Sequence, residues 1–171
     1  MPSTSGDRKG SLPIGLILLT IAYPITHTLV ANIPNPFVAQ ANVALNMIFP
    51  VLAGFFLGSV SGGVAGALGT GLSALVSGDV YDALAILPHA AMGVAAGWLG
   101  GRRARIPAAL TLLLGHCLNL VFYWRFGLLS LDHPETLALG MVTETTIGVV
   151  AIMFVIIGLQ NRLYREPDQR W

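Results

Sequence analysis

The sequence predicts an all-α fold, a polytopic membrane bundle of six transmembrane helices with both termini cytoplasmic. Three observations predict it. Hydrophobic residues make up 54% of the 171 positions and charged residues only 10%, against roughly 25% charged in soluble domains. A fold of this size has more apolar surface than it can bury, so lipid must be part of its solvent. Six apolar segments approach the ~20 residues that a helix needs to cross a ~30 Å hydrocarbon layer. Finally, the basic residues fall into clusters that an even number of crossings puts on one side.

The segments run over 12–31, 38–57, 60–77, 81–99, 107–128 and 137–160. The first follows the polar stretch MPSTSGDRKG. It is longer than the ~7–15 residue apolar region of a signal peptide, and Leu29 would occupy the small-residue position before a cleavage after Ala31, so it reads as a retained helix. The breaks carry turn chemistry: Asn32-Ile33-Pro34-Asn35-Pro36, Gly58-Ser59, Ser77-Gly78-Asp79, Gly100-Gly101 through Pro107, and Ser130 to Glu135 with Pro134. The segments lack the period-2 alternation of a membrane barrel. The chain therefore divides into a tail over 1–11, a membrane domain over 12–161 and a tail over 162–171.

Arg8 and Lys9 precede the first segment. Arg102, Arg103 and Arg105 lie between the fourth and fifth, and Arg162, Arg165 and Arg170 follow the sixth. Six crossings place all of these on one side, the cytoplasm by the positive-inside rule. The opposite loops hold Asp79, Asp82, Asp132 and Glu135. Five or seven crossings would split the basic clusters. The net charge of +1 offers no basic face for nucleic acid, and the single cysteine, Cys117, excludes an internal disulfide and a multi-cysteine metal site.

Gly54, Gly58, Gly62 and Gly66 recur every four residues, and Gly93 and Gly97 repeat the spacing in the fourth segment. Small residues at this interval let helix backbones approach closely, as in tight membrane bundles of every function. Residues 50–99 read PVLAGFFLGSVSGGVAGALGTGLSALVSGDVYDALAILPHAAMGVAAGWL. This stretch resembles the substrate-specific S component of energy-coupling factor (ECF) vitamin transporters. That family shares a helix ending in a Gly-[Phe/Leu]-[Phe/Leu]-x-Gly run, a Gly-x-x-Ala-Gly-x-x-Gly helix and a small-residue helix closing on an apolar-Gly segment. The motif likeness covers about 50 residues, and the six-helix topology extends it over the chain.

The resemblance implies capture of a small water-soluble vitamin or precursor from outside the plasma membrane of a prokaryote. Uptake would be driven by two partner ATPase subunits through a transmembrane coupling subunit, since the chain has no phosphate loop of its own. There are departures. Many family members dock through an Ala-x-x-x-Ala patch on helix one, where this chain offers Ala22 and Thr26. The nickel and cobalt members begin Met-His, whereas this chain begins Met1-Pro2-Ser3, which points away from a metal substrate. A second likeness covers GLSALVSGDVYDALAILPHAAMGVAAGWLGGRR, which looks somewhat like the rod-shape protein MreD. That reading implies a membrane scaffold of cell-wall elongation with no small-molecule ligand.

Polar side chains inside membrane helices are costly and mark substrate or ion paths. His116, Asn119 and Tyr123 share one face of the fifth segment, with Trp124 and Arg125 near its outer end. Trp124 and Tyr123 also suit an interfacial aromatic belt, and Arg125 suits snorkelling to outer headgroups. Asp82 and His89 share a face of the fourth segment beside Tyr81, and Pro88 should bend that helix. Glu144 lies well inside the sixth, where a carboxylate needs a partner such as Arg125, His116 or a cationic substrate. Gln40, Asn42 and Asn46 add polar groups from the first outer loop and the second segment.

In S components the pocket is built by outer loop one and the outer halves of helices four to six, and these polar residues fall on those elements. The mixture suits a flat nitrogen heterocycle, thiamine-like among the options, through stacking and charge-assisted hydrogen bonds. Arg125 would instead suit a carboxylate, as in biotin, pantothenate or nicotinate. Enzyme chemistry finds no support. No Gly-x-Ser-x-Gly or His-Glu-x-x-His occurs, Ser73 and Ser77 share a face with no base beside them, and no cofactor is called for.

Overall fold

A computed structural model describes residues 8–30, 33–37, 42–100 and 104–163. Among them are six α-helices and no strand. They are α1 (Arg8–Val30), α2 (Ile48–Leu57), α3 (Ser59–Ser77), α4 (Val80–Leu99), α5 (Arg105–Arg125) and α6 (Pro134–Leu163), with a 3₁₀ turn at Leu45–Met47 leading into α2. Helices α3, α4, α5 and α6 are each long and apolar enough to cross a membrane, while the apolar stretches Ile14–Val30 and Leu45–Leu57 are shorter.

The apolar side chains face two ways. Met47, Val51, Leu52, Met92, Ala96, Ala109, Leu112, Ile152 and Ile156 form a buried core. By contrast Leu75 is 83% exposed, Trp98 81% and Phe154 75%. Exposure of that extent over several helices is what a lipid-facing surface requires, since soluble monomers rarely expose large contiguous apolar patches.

The second segment differs most from the sequence reading. Helix was expected over 38–57, but α2 is only 10 residues long, about 15 Å at 1.5 Å per residue. The chain before it is irregular. Val43 N–H donates to the Ile33 carbonyl at 3.0 Å, and Pro34 and Asn42 form an isolated bridge. Asn46, in the turn before α2, points its side chain to His27 at 3.2 Å. Irregular backbone at membrane depth is tolerated where it is buried in protein or lines a cavity. The other ends shift less: α1 begins at Arg8, and α5 stops at Arg125, where Gly127 takes φ +72°. Gln40, Arg102, Arg103, Arg165 and Arg170 lie outside the described residues.

The glycine ridge is the contact between α2, α3 and α4. A Cβ on Gly54 or Gly62 would overlap the Gly93 carbonyl, one on Gly66 would overlap the His89 carbonyl, and one on Gly97 would overlap the backbone of Ser59. The helices meet backbone to backbone, as the spacing predicts. Gly58 is the exception: added atoms there would meet nothing, and its φ of +94° makes it the hinge between α2 and α3. Pro88 is buried inside α4, which runs unbroken from Val80 to Leu99.

The core and the polar groups divide the bundle along its length. Core residues come from the last half of α4, the first half of α5 and the last half of α6. The polar side chains come from the opposite ends of those helices, so they collect near residues 33–37 and 42–44, the α3–α4 turn and the α5–α6 loop.

Candidate functional site

At that end lies a cavity of about 530 Å³, within the 300–1,000 Å³ range of small-molecule pockets. Its walls come from α1, Asn35, residues 42–44, the 3₁₀ turn, α4, α5, the α5–α6 loop and α6. Asn42, Asn46, Tyr81, Asp82, His89, His116, Asn119, Tyr123 and Glu144, all singled out in the sequence, line this one space.

His89 is at the centre of the first polar cluster. Its Nδ1 lies 2.7 Å from the Tyr23 hydroxyl and 2.9 Å from Thr70 Oγ1. Its Nε2 lies 3.0 Å from Asn119 Nδ2. With that amide nitrogen donating, Nε2 accepts and the ring proton belongs on Nδ1, facing the two hydroxyl oxygens. Side chains of α1, α3 and α5 thus meet on one imidazole of α4. Close packing of Gly66 on the His89 backbone explains the position of Thr70, one turn further along α3.

The second cluster surrounds Asp82. Its Oδ2 accepts from Ser73 at 2.8 Å and Ser77 at 3.1 Å, and it lies 3.5 Å from His27 Nε2. His27 Nδ1 in turn lies 3.2 Å from Asn46 Nδ2. The face shared by Ser73 and Ser77 is therefore a pair of donors for a carboxylate. The local sequence explains the approach: Gly78 adopts a left-handed conformation that ends α3, and the Asp79 carboxylate caps α4 by accepting from Tyr81 N–H. This tight turn brings residue 82 back against residues 73 and 77.

The third cluster joins elements far apart in the chain. Glu144 Oε1 accepts from Asn35 Nδ2 at 2.5 Å, and Glu144 Oε2 lies 3.7 Å from His116 Nδ1. Asn35 is held by an Asx turn in which its Oδ1 accepts from Phe37 N–H at 2.9 Å. At the rim, the rings of Tyr81 and Tyr123 meet edge to face with centroids 5.1 Å apart. The Tyr123 hydroxyl donates to the Tyr81 carbonyl and the Tyr81 hydroxyl to the Leu128 carbonyl.

Trp124 and Arg125 do not line the cavity. A helix turns by ~100° per residue, so they point away from the face of His116, Asn119 and Tyr123. Trp124 is 54% exposed, and among the described residues Arg125 makes no ion pair. Among the described residues, the neighbours of Glu144 are Asn35, the Ala44 backbone N–H and His116, not Arg125. Sequence reasoning missed Tyr23 and His27, although their spacing of four puts them on one face of α1. It also read Asn35 only as a turn residue.

Among the described residues, three buried atoms of the cavity lining have no partner: Asn46 Oδ1, His116 Nε2 and Asn119 Oδ1. Such atoms are costly unless something else satisfies them. Among the described residues, no lysine or arginine lines the cavity, and no three His, Cys, Asp or Glu side chains converge to hold a metal ion. Comparison with protein families, curated proteins and solved structures finds no match to this chain.

The fold and site define a class: a helical membrane protein with a polar, ligand-sized cavity at one end of its bundle.

Proposed function

We propose that this chain is the substrate-binding membrane subunit, or S component, of an ECF-type importer. It captures a small water-soluble vitamin or precursor from outside the cell, and partner ATPases drive uptake through a coupling subunit. The cavity carries this reading. Nine polar or ionisable residues chosen from sequence line one 530 Å³ space, and three buried polar atoms of its walls have no partner among the described residues. A scaffold of the MreD kind has no use for unpaired polar atoms around such a space. The cavity end carries the acidic loops, which the positive-inside rule places outside. Away from the helix ends, the exposed side chains of α3 to α6 are uncharged among the described residues, which suits the toppling of the whole bundle that the family resemblance implies.

The test is assembly together with ligand retention. The tagged full chain is purified in mild detergent from the membranes of its own host and subjected to native mass spectrometry with a panel of vitamins. Two ATPase subunits and a coupling subunit in the complex, with a panel member bound, support the reading. No bound ligand and only cell-wall morphogenetic proteins as partners would replace it with the scaffold.

A further inference from the structure

The two carboxylates of the cavity differ in burial and in their neighbours: Asp82 is buried and Glu144 half-buried. Asp82 Oδ2 accepts from two serine hydroxyls and faces His27, so its donors are supplied internally. Glu144 accepts from Asn35 through Oε1 and from the Ala44 backbone N–H, and neither donor carries a charge. Glu144 Oε2 is 3.7 Å from His116, beyond hydrogen-bonding distance. A carboxylate removed from water needs donors or a compensating charge. The walls offer Glu144 no lysine or arginine among the described residues.

The unpaired atoms have a matching chemistry. Asn46 Nδ2 is engaged with His27 and Asn119 Nδ2 with His89, which leaves the carbonyl oxygens of both amides. Those oxygens only accept. His116 Nε2 is unpaired too, and it accepts in the tautomer that carries the ring proton on Nδ1, the nitrogen nearer Glu144. Asn46 is 3% exposed, His116 7% and Asn119 8%, so these side chains sit within the cavity wall with little contact with solvent.

We infer that the cavity takes a small organic nitrogen cation bearing several N–H donors, with Glu144 as its charge partner and the Asn46 and Asn119 carbonyls and His116 Nε2 as acceptors for its N–H groups. This deepens the transporter reading and rests on it. Asp82 is a brace that holds the α3–α4 wall and His27. A ligand whose only charge is a carboxylate meets no lysine or arginine here among the described residues, because Arg125 points elsewhere.

The experiment compares matched probes on the wild-type full chain in nanodiscs. Protonated benzamidine and thiamine are set against benzoate, nicotinate and pantothenate, with affinity read by native mass spectrometry and isothermal titration. The cations are expected to bind at least about tenfold more tightly than the anions, as expected for a charge-assisted hydrogen bond. Glu144→Gln is expected to lose about tenfold or more in cation affinity, and Glu144→Asp to recover part of it. Thermal midpoints of both variants check folding, and the wild-type comparison does not depend on either.

Tighter binding of an anion, or cation binding that Glu144→Gln leaves unchanged in a folded protein, overturns the assignment of ligand class. The transporter reading survives that result, because a ligand has still been bound. Binding of no probe, with no ATPase partners in the purified complex, overturns both.

Discussion

The carbonyl of His89 packs directly on the Cα of Gly66, with no room between them for a side chain. This contact joins the packing of the bundle to the chemistry of the cavity, because Thr70, one turn beyond Gly66, then reaches His89 Nδ1. Gly66→Ala is expected to lower stability by about 1–3 kcal/mol, the usual cost of overpacking. Gly158 in α6 has open space around it, and Gly158→Ala is expected to raise stability by up to about 1 kcal/mol through helix propensity. Thermal unfolding midpoints in detergent check both, and equal effects of the two substitutions would contradict the packing described.

The proton on His89 Nδ1 has two acceptors, Tyr23 and Thr70. Either can serve alone, so Tyr23→Phe and Thr70→Val should each cost no more than about 1 kcal/mol from this site. The double variant leaves that N–H buried without a partner. It is expected to lose more than the sum of the single variants, with a coupling of about 0.5–3 kcal/mol in a double-mutant cycle. Strict additivity would show that the ring proton is elsewhere.

The donors of Asp82 should rank by geometry. Ser73 is 2% exposed and donates at 2.8 Å, whereas Ser77 is more exposed and donates at 3.1 Å. Ser73→Ala is expected to cost about 1.5–3 kcal/mol, as for a hydrogen bond to a charged group, and Ser77→Ala clearly less. The order of the two unfolding midpoints is the measurement.

The cavity should face the exterior. In a Cys117→Ser background, single cysteines are placed at Ser130, beside the cavity, and at Ala104, at the other end of α5. A membrane-impermeant maleimide added to intact cells is expected to label position 130, and to label position 104 only after permeabilisation. The reverse pattern would invert the orientation that the basic clusters predict.

Trp124 and Arg125 lie off the cavity. Trp124→Ala and Arg125→Ala are each expected to change the affinity of any probe that binds by no more than about twofold, within the ±0.5 kcal/mol of ordinary surface substitutions. Tyr123→Ala, at the rim, should weaken binding further. A large effect of Arg125→Ala on an anionic probe would restore arginine to the site.

The sequence by itself determined that the chain is a membrane bundle, where most helices run, and that Gly54, Gly62, Gly66, Gly93 and Gly97 are contact positions. These properties follow from hydropathy and from spacing along one helix, and both are local. It also picked out most of the polar lining, because a polar side chain in an apolar helix stands out against its neighbours. Rotation about a helix was legible for His116, Asn119 and Tyr123, and the same rotation, applied to Trp124 and Arg125, would have turned them away from that face.

The tertiary structure decided the partnerships. Asn35 and Glu144 are 109 residues apart, and no period relates a turn residue to a carboxylate on another helix. Likewise Ser73 and Ser77 became donors to Asp82 only once the Gly78-Asp79 turn folded α4 back along α3. The short α2 was also decided there: an apolar run continues a helix only when its backbone has no better use, and here the chain before it bends to close one wall of a cavity.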